Sequence, residues 1–254
     1  MAGAPIVTAA VVIIGNEILS GRTADVNLTF LGRRLNEEGV RLREVRVVAD
    51  DEAAIVEAIN ALRSRFDYVF TTGGIGPTHD DITAASVAVA FGLPLIFNEE
   101  AVARMREHYS AGQLNEARLR MARTPEGVAL IDNPVSKAPG FRVENVYVFA
   151  GVPRIMQAMF ENVAGELAGG TPTITRTVSV FVTEGEVAEG LSALQERHGD
   201  LEIGSYPFVR DQKLGTSLVI RGTDAGRIDT AADALLGLIF ELGGEVIEDS
   251  GAAR

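Results

Sequence analysis

The segment from Val7 to Ile14 is mostly β-branched and apolar at every position but Thr8. A strand with one wet face alternates polar and apolar residues, and this run does not. It reads as a strand buried on both faces, which requires a largely parallel sheet with helices on either side. A chain of 254 residues is long enough for that layer arrangement or for two smaller domains.

The pattern downstream agrees. A polar loop spans 15–23. Asp25 is then placed to cap a helix carrying Leu28, Leu31 and Leu35 on one face, stopped at Gly39. Residues 42–48 read as a strand. Asp51 opens a helix with Ile55, Ile59 and Leu62 at helical spacing, and 68–72 is the next strand. Further helices are expected over 84–91, 99–109 and 115–123, the last rich in arginine. Short strands are expected at 95–97 and 146–150, and a helix begins at Pro153. Strands alternating with helices imply crossover connections, right-handed by rule.

Gly169-Gly170-Thr171-Pro172 is the strongest boundary signal. It divides the chain into a three-layer α/β/α domain (1–169) and a small α+β domain (170–254). The second part reads as strand 173–183, helix 185–197, strands 200–204 and 216–221, helix 223–241 and strand 244–248. That order suggests a ferredoxin-like split unit. Ile203-Gly204-Ser205-Tyr206-Pro207 is read as a turn.

Between the strand at 68–72 and the helix after Ala84 lies Thr72-Gly73-Gly74-Ile75-Gly76-Pro77-Thr78-His79-Asp80-Asp81-Ile82-Thr83. Gly73, Gly74 and Gly76 can adopt positive φ. Their N–H groups can converge on an anion at a helix N-terminus. The spacing is neither a Walker loop nor a dinucleotide fingerprint. A tight turn alone is the simpler reading, but Asp80 and Asp81 shift the balance. Two adjacent carboxylates beside a phosphate repel it unless a cation or proton intervenes. Asp81 alone can also serve as a helix cap.

The motif Thr-Thr-Gly-Gly-x-Gly-Pro-x-x-x-Asp-x-Thr resembles the signature of the molybdopterin-binding domain family. Its Asp-Asp form is similar to the N-terminal half of the competence/damage-inducible type and to a domain of eukaryotic FAD synthases. Three other segments agree, in order: residues 14–21 with Asn16 and Glu17, residues 133–141, and Gly151-Val152-Pro153. The resemblance covers residues 6 to about 168 and extends to the small second domain. It implies that Asp81, Asp50 and Glu17 are catalytic, and that Asp80, Asp81 and Glu17 hold a divalent metal (Mg²⁺, Mn²⁺ or Co²⁺) with K⁺ as an accessory ion. It implies a ligand cradle of Thr72, Gly73, Gly74, Gly76, Pro77, Ser20, Asn27, Ser136, Lys137 and Pro153. Each has a plainer alternative: Asp50 as a helix cap (Asp51 being the better one), Glu17 as a loop residue, Arg118, Arg120 and Arg123 as solvated surface. Full-length relatives carry an amidohydrolase domain; none is read in these residues, so no amidase activity is expected.

The implied activity is metal-dependent cleavage of a nucleotide pyrophosphate such as ADP-ribose or FAD. The alternatives are molybdopterin binding or adenylyl transfer in molybdenum-cofactor synthesis, or a non-catalytic nucleotide sensor. A net charge of −12 argues against nucleic acid as a partner. The absence of cysteine excludes thiolate chemistry and disulfides. No apolar run spans a membrane and no signal peptide is read in residues 1–5, so a cytoplasmic protein, associating as a homodimer, is expected.

Overall fold

The computed structural model describes residues 6–110 and 112–251; residues 1–5, read above for a signal peptide, lie outside them. The chain divides into two compact units after Gly170.

In chain order the first unit runs β1 (Val7–Ile14), α1 (Asn16–Leu19), α2 (Asn27–Glu37), β2 (Val40–Val48), α3 (Glu52–Arg63), β3 (Tyr68–Thr72), α4 (Thr83–Phe91), β4 (Leu95–Phe97), α5 (Glu99–His108), α6 (Glu116–Leu119), β5 (Arg123–Pro125), β6 (Ala129–Ile131), β7 (Gly140–Val143), β8 (Val146–Phe149) and α7 (Pro153–Ala164). Six strands form one sheet in the order β2-β1-β3-β8-β7-β6. Strands β2, β1, β3 and β8 are mutually parallel. Strands β7 and β6 add an antiparallel flank.

The unbroken apolar run of β1 divides its residues between two cores. Ala9, Val11 and Ile13 pack with Phe70, Phe149, Phe160 and the leucines of α2. Ala10, Val12 and Ile14 pack with Ile55, Ile59, Leu62, Val87 and Val148. Helices α2 and α7 therefore cover one face and α3 and α4 the other, the three layers expected of a doubly covered sheet. Asp51 caps α3 by accepting from the Ala54 N–H at 2.9 Å, and Asp25 accepts from the Leu28 N–H at 2.7 Å at the start of α2.

Beyond the short helix α1 inside the loop read at 15–23, the sequence reading needs correction in three places. Residues 115–123 are not one helix: α6 ends at Leu119, a single 3₁₀ turn follows, and Arg123 already lies in β5. Strands β5, β6 and β7 had no counterpart in the expected pattern. Being only three or four residues long, they give too short an alternation to register.

The second unit runs β9 (Ile174–Val180), α8 (Glu184–Arg197), β10 (Glu202–Arg210), β11 (Lys213–Gly222), α9 (Ala225–Glu241) and β12 (Val246–Asp249). Its sheet has the antiparallel order β10-β11-β9-β12. That is the expected split βαβ arrangement, with α8 and α9 closing a core around Val178, Leu218, Ile220 and Leu235. Residues 203–207 are the third correction: they are strand, not turn, and pair from Ile203↔Ile220 to Pro207↔Thr216. β10 is an edge strand, where a proline costs no ladder bond. The chain reverses at Asp211 and Gln212, both at positive φ.

Two ion pairs make this unit acid-sensitive. The Arg227 guanidinium holds the Asp200 carboxyl down at about 2, and Arg176 holds Asp249 below its ordinary value. Both folded values are depressed, so their stabilisation is complete above the ordinary carboxylate value of 3.8. It is lost as pH falls through the folded value. The Asp200 side chain is 52% exposed, so solvent screening keeps its contribution small. The urea midpoint of the second unit should fall as pH goes from about 4 to about 2, and Arg227→Gln should flatten that slope. An unchanged slope in the variant would remove Asp200 from the account.

Candidate active site

Because β1, β2, β3 and β8 run parallel, their carboxyl ends open on one edge, where ligands of open α/β sheets bind. A cleft of about 570 Å³ lies there, within the usual range for small-molecule sites.

Its floor is the glycine turn after β3. Gly73 adopts φ +102° and Gly74 φ +68°. A Cβ on Gly73 would lie 2.2 Å from the Ile14 carbonyl oxygen, and one on Gly74 2.1 Å from Thr83 Oγ1. Thr83, wholly buried at the start of α4, clasps the turn. Its hydroxyl donates to the Gly73 carbonyl at 3.0 Å and its N–H to the Gly74 carbonyl at 2.9 Å. The Gly73 N–H donates to Phe149 O at 3.2 Å, tying the turn to β8. Among the described residues no hydrogen bond takes up the N–H groups of Gly74, Ile75 or Gly76. Gly76 does not use positive φ as expected; it is small because the Asp81 carboxylate occupies the place of its Cβ.

Asp81 is not the helix cap. Thr83 begins α4 with Ile82 at the cap position and no side-chain cap bond. The Asp81 carboxylate instead accepts from the N–H and hydroxyl of Thr78, closing the turn on itself. The same hydroxyl, with the Asp80 N–H and nearby His79, holds the exposed Asp80 carboxyl below its ordinary value. Asp50, at the end of β2, accepts from the Asn16 N–H at 2.8 Å and so ties the first loop to the second strand. Glu17 is half-buried, its carboxylate folded over Gly15. Asp50, Asp80, Asp81 and Glu17 all line the cleft, as do Gly73, Gly74, Gly76, Pro77 and Ser136. The adjoining small pocket of about 70 Å³ takes in Asn27, Thr72 and Pro153 and shares Glu17 with the cleft. Asn27 is buried and donates to Gly151 O at 2.8 Å.

Two expected members stay out of the walls. Lys137 adopts φ +60° and its ammonium lies 3.9 Å from Asp132, so its charge is turned to a local partner. Ser20 is exposed and donates to the Glu17 carbonyl at 3.3 Å, shaping α1 instead. Among the described residues no three His, Asp or Glu side chains cluster to hold a metal ion, so Asp80, Asp81 and Glu17, expected to hold a divalent metal, do not by themselves make a three-ligand site.

Other wall residues lay outside the expected cradle, Arg118 having been read as solvated surface. Asn133, nearly fully buried, organises its loop: its side chain donates to Ser136 Oγ and Ala138 O, and accepts from the Val135 and Ser136 N–H groups. The Asn-Pro pair at 133–134 was the available signal for such a side-chain-stabilised turn. Tyr109 and Arg118 face the cleft from the segment carrying α5 and α6, with the guanidinium 4.8 Å from the ring centroid.

These features define a doubly covered α/β domain with a glycine-turn ligand cleft at its strand ends, joined to a split βαβ unit. The chain belongs to the molybdopterin-binding domain family: the family described as "probable molybdopterin binding domain" matches residues 10–169, and the FAD synthase middle domain matches residues 172–243. Protein TK1472 of Thermococcus kodakarensis is 33% identical over 242 residues, covering 89% of this chain and 95% of its own. A probable FAD synthase of Caenorhabditis elegans is 31% identical over 91% of this chain, which spans 50% of that protein's length. The crystal structure of CinA, a protein of unknown function from Thermoplasma acidophilum, aligns with 36% identity and a TM-score of 0.60 over 63% of this chain and 98% of its own. The resemblance read in the sequence is borne out in family and fold. Among the described residues, no helix is long and apolar enough to cross a membrane.

Proposed function

We propose that the first unit binds a nucleotide or pterin phosphate on the N–H groups of Gly74, Ile75 and Gly76 and hydrolyses a nucleotide pyrophosphate of the ADP-ribose or FAD kind in the cytoplasm. The unspent N–H groups of the glycine turn, in a cleft ringed by carboxylates from three strand ends, carry this reading. Carboxylates beside a phosphate need a counter-cation. Among the described residues no three-ligand site for one exists, but magnesium-like ions bind through one or two carboxylates plus the substrate's own phosphates. Asp80 and Asp81 suit an ion that arrives that way, and it would supply polarisation of phosphorus. Asp50 and Asp81 already accept hydrogen bonds that position loops. No such bond occupies the Glu17 carboxylate among the described residues, which leaves it available to take a proton from attacking water. Tyr109 and Arg118 offer a flat face for a base or pterin ring.

Asp81→Asn tests the reading, because the amide oxygen can still accept from Thr78 while the charge is gone. Thermal stability should stay close to wild type. Turnover of ADP-ribose or FAD with Mg²⁺, Mn²⁺ or Co²⁺ and K⁺ should fall by roughly 100-fold, the scale of one lost electrostatic contact to the transition state. Wild-type turnover in the variant would leave Asp81 a turn-former only. Absence of cleavage in the wild type would move the weight to molybdopterin binding, which the matched family description favours.

A further inference from the structure

A second cavity of about 270 Å³ opens on the other side of the Gly76–Asp81 turn. It shares Ile75, Gly76, Asp81 and Met121 with the cleft, so the turn is a common wall between the two. Its chemistry is different. It is bounded by His79, Arg120 and Arg123 and by Ala84 and Ala85 in the first turn of α4. The protein as a whole carries 35 acidic against 23 basic residues, yet this cavity holds two arginines against the single carboxylate of Asp81. Among the described residues neither Arg120 nor Arg123 forms an ion pair, and the only neighbour of this kind is the Phe97 ring, 5.8 Å from Arg123. Arg120 reaches the cavity from the 3₁₀ turn after α6, and Arg123 from the first position of β5. A continuous helix would place residues three apart on one face and carry Arg123 away from the β4–β5 ribbon that now holds it.

We infer that this cavity is a second phosphate subsite, so that the ligand of the glycine turn carries a further phosphate reaching past Asp81 to Arg120 and Arg123. The inference rests on the glycine-turn reading for the first phosphate. Guanidinium groups match phosphate oxygens in bidentate geometry, and the first-turn N–H groups of α4 add partial positive charge on the same side. Asp81 stands between two anion positions and, like the Asp80 beside it, repels a ligand with one phosphate more than it hinders one whose second phosphate is compensated by two arginines. The further phosphate can belong to one contiguous chain, as in ATP, or stand apart from the pyrophosphate, as in NADP. Both are the same chemistry at this cavity.

The two positions can be read separately by NMR titration of the full chain with ATP and NADP, against AMP and NAD as their parents. The amides of Gly74, Ile75 and Gly76 report the cleft; the Nε–H groups of Arg120 and Arg123 report the second cavity. The expected result is movement of both sets with ATP or NADP and of the glycine amides alone with AMP and NAD. At least a tenfold affinity advantage of the phosphorylated ligand over its parent should disappear in Arg120→Gln/Arg123→Gln, with parent binding unchanged. ATP and NADP then separate the contiguous from the detached phosphate. If the glycine amides respond and the arginines do not, the second subsite is wrong and the glycine-turn reading stands. If the arginines respond alone, the glycine-turn reading fails. An advantage that survives the double variant overturns the subsite.

Discussion

Phe70→Ala should destabilise the first unit by about 4 kcal/mol, the usual range for emptying a buried phenylalanine site being ~3–5 kcal/mol. Phe70 is fully buried at the middle of the sheet. Its ring meets those of Tyr147 at 5.3 Å, Phe160 at 5.8 Å and Phe149 at 6.0 Å. Each is within the separation at which aromatic pairs add to area burial. The rings come from β3, β8 and α7, elements fixed by the backbone, so the cavity can collapse little. A unit of this size should melt roughly 8–16 °C lower. Calorimetry would show one transition shifted and that of the second unit in place. Val89→Ala, on the same sheet unit but 55% exposed, should change almost nothing. A loss below about 1 kcal/mol for Phe70→Ala would mean that the face repacks and the aromatic cluster is not its anchor.

Gly73→Ala should cost about 3 kcal/mol and remove ligand binding from whatever fraction folds. Two penalties combine. A non-glycine residue at φ +102° sits outside its favoured regions, worth ~1–3 kcal/mol. The new methyl would also lie 2.2 Å from the Ile14 carbonyl oxygen, which belongs to β1 and cannot swing aside. Relief requires the turn to move away from β1, breaking the Gly73 N–H bond to Phe149 and the Thr83 clasp. The N–H groups of Gly74 to Gly76 would then be displaced with the turn. Gly92→Ala is the matched control: it also has positive φ, +64°, but open space around the Cβ. It should cost only the conformational part, ~1 kcal/mol. Equal losses in the two variants would show that crowding against Ile14 plays no part.

The layers of the fold were legible because they rest on long, repetitive signals. β1 is apolar without alternation, and the helices place Leu28, Leu31, Leu35 and Ile55, Ile59, Leu62 at helical spacing. Asp51 and Asp25 announced helix starts through a local bond that depends on a few neighbouring residues. What stayed illegible depends on partners far along the chain. β5, β6 and β7 exist because neighbouring strands and β4 pair with them. Residues 203–207 were read as a turn, and the position of β10 at the sheet edge is what lets a strand hold Pro207 there. In the candidate site, the glycines and carboxylates sit directly after strands, where a motif of fixed spacing can be read. Tyr109, Arg118 and Asn133 reach the cleft by long-range folding, with no spacing that links them to Gly73. Lys137 was misplaced because its backbone conformation and its pairing with Asp132 are decided within its own loop.

The position of β1 also bears on how the chain avoids association with itself. An uncharged, proline-free apolar segment of this length has the composition of a strand that nucleates fibrils. Here it is flanked on both sides, by β2 and β3, and never meets solvent along an edge. The outer position belongs to β2, which carries Arg41, Arg43, Glu44 and Arg46 among its valines, and such charges deter the docking of foreign strands. The hazard is thus kept one strand deep, behind a charged neighbour. As long as β2 stays zipped to β1, a partly opened molecule can close again. Once β2 peels away, the same residues that built both cores become the surface on which aggregates grow.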